Sequence, residues 1–297
     1  MALRGKRKSL LEACFRSVFL LPPKTDMQGL DNFLYFKTLD AMDILLKSLV
    51  LSSPGYGDLR IILQMLLPFT DTKNAAACER AMVRIGKLAN WMDSSSSVQV
   101  WNLLAADNSS SHDDTIHDRL LGQLLGHLIV CWTSKIWEIQ RAALDTLHYL
   151  CRFIQQHKCM TSPEDNLKHP QCGGKRKSGK PSWLPLCSTR SIVKAFGEDL
   201  HPPDKTVILV KAIEAMRDSC TCDKEELISI VDVAMTEPAS WLTEVPIIVS
   251  CIYNNLEHIN TPSAWHTLDM LLLMMVELQP ADVILRLVRL SPTCDRY

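Results

Sequence analysis

The sequence has no uninterrupted apolar stretch near the roughly 20 residues that a bilayer-spanning helix needs, so no membrane association is expected. It also lacks an excess of either charge: 32 basic residues face 33 acidic ones across 297 residues, for a net charge of −1. That balance removes the global basic field of a nucleic-acid binder, and no nucleic acid is expected as a partner. Aromatic residues are scarce at 6%, although 47% of the chain is apolar. Leu, Ile, Val, Ala and Met supply most of that apolar content. Straight-chain side chains lose little rotamer freedom in a helix, so the mixture favours helices, and no segment reads as a strand. A signal peptide is not expected either, because Glu12 and Arg16 break the first apolar stretch. Cysteine, in contrast, is plentiful: there are eleven, an odd number, scattered along the chain. Cys14, Cys131, Cys151 and Cys251 sit among apolar neighbours, which suits small buried thiols in a reducing compartment. The expectation is a soluble intracellular protein, cytoplasmic with the nucleus as the alternative.

What is present is helical periodicity. Leu10, Leu11, Cys14, Phe15, Val18 and Phe19 fall on one helical face, and Pro22-Pro23 ends that element. Similar spacing predicts a longer helix from Leu30 to Leu49, a short one over about 59–67 stopped by Pro68, and another over about 74–92. A short helix around Trp101 follows, then helices over about 115–132 and 135–157. Helices resume near Thr189 and continue at about 203–218, 223–236, 243–258, 262–278 and 280–290. Prolines 203, 246, 262 and 280 fall in or near first turns, where a missing N–H costs little.

Residues 160–188 differ in kind: four prolines, three glycines, a basic run and almost no apolar periodicity. They read as a disordered insertion between blocks at 1–159 and 189–297. Within it, Gly174, Gly179 and Lys180 reproduce most of a phosphate-binding loop, G-x-x-x-x-G-K-[ST]. The context opposes that reading. No strand precedes the run, Pro181 replaces the magnesium-binding hydroxyl, and Pro185 opposes the helix that should follow. No cofactor is expected. The basic cluster Lys175, Arg176 and Lys177, with Ser178 behind it, is most simply a solvated charge run. Its functional alternative is an import signal or a phosphorylation site at Ser178.

Two other groups bear on chemistry. His157, Cys159, His169, Cys172 and Cys187 gather near the insertion, with Cys220 and Cys222 further on. Only His169-x₂-Cys172 has ordinary zinc-ligand spacing, so unpaired thiols are expected rather than a metal site. His157 is expected at an exposed helix end, where the dipole suits an imidazole. The stretch "HDDTIHD", residues 112–118, holds His112-Asp113 and His117-Asp118. Helical phosphohydrolases hold metals through His-Asp pairs, but they draw further ligands from separate helices. The plainer reading is that Asp113 or Asp114 caps the helix starting near Thr115.

A spacing recurs along the chain. Ala81, Ile85, Leu88 is matched by Ala143, Leu147, Leu150 and by Ala264, Leu268, Leu271. Ala212 and Met216 begin it again before Ser219 breaks it. A small residue one turn before two large ones lets a neighbouring helix approach and interlock, as in stacked helix pairs. Leu147 and Leu268 are therefore expected to be buried between helices. The irregular intervals place insertions between units.

Several segments carry a family resemblance. "LYFKTLDAMDILLKSLVLSSPG" with "LRIILQMLLPFT", then "ERAMVRIGKLANWM" and "LLGQLLGHLIVCWTSKIWEIQRAALDTLHYL", resemble the maestro heat-like repeat family in order and spacing. "STRSIVKAFGEDLHPPDKTVILVKAIEAMRD" and "ADVILRLVRLSPTCDRY" resemble its later repeats. The resemblance covers most of residues 28–297 but not the basic insertion. It implies an all-α fold: an α-solenoid of stacked antiparallel HEAT-like helix pairs, interrupted by the disordered basic insertion. It also implies an interaction role in the cytoplasm or nucleus and supplies no catalytic motif. The chain stops just after Cys294-Asp295, where longer members continue, which leaves a short member, an isoform or a fragment open.

The function expected is a non-catalytic helical-repeat scaffold that binds other proteins. The alternative is a metal-dependent, all-helical phosphohydrolase using His117 and Asp118. The last helix, carrying Val283, Ile284, Leu285, Leu287, Val288 and Leu290, has an apolar arc too wide for one neighbouring pair to cover. An exposed apolar patch near residues 280–292 is expected. A partner, a second copy of the chain or further repeats would cover it.

Overall fold

A computed structural model describes residues 2–21, 30–52, 57–95, 98–105, 119–161, 188–217 and 221–290. Among these residues there are fourteen α-helices and no strand. In the first half they are α1 Ala2–Phe19, α2 Leu30–Ser52, α3 Gly57–Leu66, α4 Ala75–Ser95, α5 Val98–Ala105, α6 Leu120–Trp132 and α7 Trp137–Thr161. In the second half they are α8 Thr189–Gly197, α9 Pro202–Ala215, α10 Lys224–Thr236, α11 Pro238–Trp241, α12 Val245–Asn255, α13 Pro262–Leu278 and α14 Pro280–Leu290.

Local chemistry sets the boundaries. Prolines occupy the first turns of α9, α11, α12 and α13, and Pro280 opens α14. Ser188 caps α8 by accepting from the Ser191 amide at 3.3 Å, and Asp223 caps α10 by accepting from the Glu225 amide at 3.0 Å. Pro68 does not stop the chain from turning, because it sits at the start of a 3₁₀ turn, Leu67–Thr70, that extends α3. The helix expected near Thr115 begins at Leu120; the proposed caps Asp113 and Asp114 lie outside the described residues. The four-residue α11 is too short to leave a periodic signal in the sequence.

The helices stack as successive pairs. α3 with its 3₁₀ turn precedes α4, α6 precedes α7, α9 precedes α10, and α12 precedes α13. The first helices form one row, in which α6 lies on α9, α9 on α12 and α12 on α14. In the second row α4 packs along α7 and α10 along α13, while α8 flanks α10. All nine residues of the recurring Ala-Ile/Leu-Leu pattern are buried, Leu147 and Leu268 included. Ala212 and Met216, the broken fourth instance, are buried too.

Small residues set the closest approaches. A Cβ on Gly122 would stand 3.0 Å from the Asp204 Cα, and one on Gly126 would stand 3.0 Å from the Lys211 Cγ. These glycines, one turn apart on α6, let α9 press against the α6 backbone. Successive pairs are also joined at their turns: the Lys135 amide donates to the Thr221 carbonyl at 2.9 Å and the Asp223 amide to the Thr133 carbonyl at 2.7 Å. This isolated antiparallel bridge between Ser134 and Cys222 is the only strand-like pairing among the described residues.

Buried charges are matched where they occur. Arg80 on α4 donates to the carbonyls of Phe19 at 2.9 Å and Leu21 at 2.6 Å, at the C-terminal end of α1, and to the Tyr35 hydroxyl at 2.8 Å. A cation at a helix C-terminus also complements the dipole. On the α4–α7 seam, Asp93 accepts from Gln156 at 3.0 Å and pairs with Arg152 at 3.4 Å.

Candidate interaction surfaces

The clearest surface is at the α13–α14 end. α14 is held to the stack by Val283, which is 1% exposed, by the half-buried Leu290, and by Arg286, whose Nε donates to Ser250 Oγ at 2.5 Å. Its other apolar side chains have no cover: Ile284 is 57% exposed, Leu285 56% and Val288 69%. Leu287, placed by helical spacing near the Val283 stripe, is also exposed. On α13, Met270, Leu273, Val276 and Leu278 are exposed in the same way. The apolar patch expected from the sequence is present among the described residues of α14, and α13 carries further exposed apolar side chains.

A second concavity lies where the 3₁₀ turn, α6 and α9 meet. Two adjoining spaces of about 440 Å³ and 220 Å³ share Leu67, Pro68, His127 and Lys211 in their walls. His127 Nδ1 lies 2.8 Å from Thr70 Oγ1, and that hydroxyl gives its one proton to the Leu67 carbonyl at 2.7 Å. Burial, and then the nearby Lys211, push His127 down to about 4, so it is neutral at physiological pH. Lys211 is itself paired with Glu214 at 2.8 Å.

The thiols are structural. Cys78, Cys131, Cys151, Cys222 and Cys251 are buried and free, and Cys14 is half-buried. Cys78 and Cys131 have their sulfurs 3.8 Å apart, and both lie 3.5 Å from the Thr70 carbonyl. The contact with Cys78, reinforced by burial, pushes the Cys131 thiol well above its ordinary value. Burial alone drives most of the rise to about 11 at Cys151 and about 12 at Cys251. Thiols held protonated in this way are poor nucleophiles.

The residues singled out for chemistry divide into two sets. Lys175, Arg176, Lys177 and Ser178 lie outside the described residues, as do Gly174, Gly179 and Lys180. So do His112, Asp113, Asp114, His117 and Asp118, and likewise His169, Cys172, Cys187 and Cys220. His157 is described, and the expectation of an exposed imidazole is wrong. Its ring is buried, stacked on Trp101 with centroids 5.5 Å apart and edge-on to Phe153 at 4.7 Å. Burial lowers its pKa. Cys222 sits beside Thr72, 3.7 Å from its hydroxyl, and not near His157. Among the described residues no group of three or more His, Cys, Asp or Glu side chains is placed to hold a metal ion. Among them, too, no helix is long and apolar enough to cross a membrane.

Residues 79–297 match the family model described as Maestro, HEAT repeats. The chain belongs to that family. The match begins at Glu79, within α4, so α1, α2 and α3 precede the matched Maestro repeats although the sequence resemblance was traced from residue 28. No solved structure matches the chain. The Maestro HEAT assignment and the paired rows of helices agree: this is an all-α solenoid of stacked helix pairs.

Proposed function

We propose that the chain is a non-catalytic scaffold that binds other proteins, with the α13–α14 end as a contact surface. The observation that carries this reading is the group of large apolar side chains left uncovered there, Ile284, Leu285 and Val288 foremost. A monomer in water rarely leaves such a group open without a partner. HEAT-like repeats suit the role because stacked pairs create an extended surface without needing a catalytic centre. The blocks 1–159 and 189–297, joined through residues 160–188, act as one scaffold in this reading, supported by the packing of α6 on α9. A cytoplasmic or nuclear setting is supported by the free buried thiols, which suit a reducing compartment.

The test compares the wild-type chain with a Leu285→Lys/Val288→Lys variant. Mass in solution and hydrophobic-dye binding are measured at several concentrations. Affinity capture from the native cell follows, with each recovered protein then tested by direct binding. The wild type should bind dye and should associate with itself or with at least one verified protein; the variant should lose both properties while keeping its helical signal. A wild type that stays monomeric, binds no dye and shares every verified partner with the variant would remove this surface from the proposal.

A further inference from the structure

α2 turns its buried face, Tyr35, Leu39, Met42, Leu46 and Val50, into the core and rests on α3. Toward α4 it is linked through Asp43, which pairs with Arg84 at 3.0 Å and also with Lys87. Beside that link the two helices leave a groove of about 400 Å³. Its floor is apolar: Leu46, Val50 and Leu88 are buried and Trp91 is half-buried. Ile44 stands on its edge at 68% exposure. Phe33, Phe36 and Leu51 are exposed as well, and helical spacing puts them on the same side of α2 as Ile44. From Phe33 to Leu51 this stripe runs about 27 Å, the length of an 18-residue helix.

Although the exposed Asp40 shares the Ile44 side of α2, the charge lining the groove is net positive. Lys47, Arg84 and Lys87 against the single carboxylate of Asp43 leave its lining at a net +2. Lys87 keeps 57% of its side chain exposed despite its pairing, so it can meet a second carboxylate. An apolar groove between two helices, with Lys47 and Lys87 beside it and an apolar stripe running on along α2, suits an amphipathic helix. Apolar anchors at i, i+4 and i+7 reach such a floor, while flanking acids meet the lysines.

We propose that the α2–α4 groove docks an amphipathic helix of a partner protein, its apolar ridge between the two helices and its acidic residues against Lys47 and Lys87. The proposal rests on the scaffold reading but uses a different surface from the α13–α14 end. Because α2 precedes the matched Maestro repeats, half of this groove is built by residues outside the family match.

The test uses the full chain and fluorescence polarisation. One probe is a labelled 18-residue designed helix with Leu at i, i+4, i+7 and i+11 and Glu on the flanks. A second carries Lys in place of each Glu, and a third ligand is a dansyl-labelled long-chain fatty acid. The Glu probe should bind at least tenfold more tightly than the Lys probe at low salt, with the difference shrinking as salt rises. Lys47→Glu should narrow the preference and Lys47→Glu/Lys87→Glu should reverse it. Ile44→Glu should weaken the Glu probe about tenfold, and Leu285→Lys should leave it unchanged. Equal binding of the two peptides, no binding of the Glu probe, indifference to the lysine reversals, or binding of the fatty acid alone would overturn the proposal. Loss of the groove result with the α13–α14 result intact leaves the scaffold reading standing; the opposite outcome separates them the other way.

Discussion

α6 and α14 are both rich in apolar residues, yet they lead different lives. Ten of the thirteen residues of α6 are buried, whereas Val283 is the only buried residue of the eleven in α14. Composition accounts for only part of that gap: α14 carries Asp282, Arg286 and Arg289 where α6 has no Asp, Glu, Lys or Arg, yet most residues of α14 are apolar. Neighbours account for the rest. α6 has the 3₁₀ turn on one side, α9 on the other and α7 behind, while α14 leans mainly on α12 and α13 among the described residues. In a solenoid the same kind of helix is core in the middle and surface at an end.

The sharpest way to break this comparison is to remove leucines buried between helices and one on the open face of α14. Leu147→Ala or Leu268→Ala should each cost about 2–5 kcal/mol of stability in urea unfolding, through lost transfer energy and a residual cavity. Leu285→Ala should cost less than about 0.5 kcal/mol, because its side chain is already in water. Similar losses at all three sites would mean that the end is covered by something the chain itself provides.

A smaller effect sharpens the comparison at the α6–α9 seam. Gly122→Val places a branched side chain where even a Cβ would sit 3.1 Å from the Asp204 carbonyl oxygen, and that neighbour is backbone. Overpacking of this kind should cost about 1–3 kcal/mol. Gly86→Ala should be milder, since the group it meets is the Thr146 hydroxyl, 2.9 Å away, on a side chain that can turn. Equal tolerance at the two glycines would show that α9 can slide on α6.

The smallest effect is a pH dependence confined to the middle. His127 is pushed down to about 4 in the fold, against an ordinary value of 6.5. The unfolded chain therefore takes up the proton first, so this contribution is full above about pH 6.5 and is lost as pH falls toward 4. The full shift corresponds to roughly 3 kcal/mol, and the ring keeps some access to water, so the loss should stay below that. A pH series of unfolding curves for wild type and His127→Gln checks this. The wild-type profile should fall relative to the variant's as pH drops from about 6.5 toward 4, and parallel profiles would contradict it.

Much of this architecture was legible in the sequence because helices announce themselves locally. The spacing of Ala81, Ile85 and Leu88 and the first-turn prolines are signals that need no knowledge of neighbours. The exposed arc of α14 was legible for a related reason: its apolar residues span more of the cylinder than one pair of helices covers. What escaped depends on contacts distant along the chain. His157 is buried because Trp101 stacks on it from another helix, and nothing near residue 157 reports that. The role of Gly122 and Gly126 becomes visible only once α9 lies across them. The α2–α4 groove is hidden for the same reason, since the periodicity of α2 identifies its apolar faces but not which of them lacks a neighbour.

The Arg80 contact has a practical side. Arg80 is the second residue of the family match, yet the acceptors described above, the carbonyls of Phe19 and Leu21 and the Tyr35 hydroxyl, come from before the match begins. A protein trimmed to the matched residues would take these acceptors from Arg80 beside newly bared core, and would deprive Arg84 of Asp43. The family boundary is thus a boundary of sequence similarity and not a safe place to cut. A protein made for expression should therefore keep α1 to α3, and one beginning at Glu79 should be recovered mainly as aggregate.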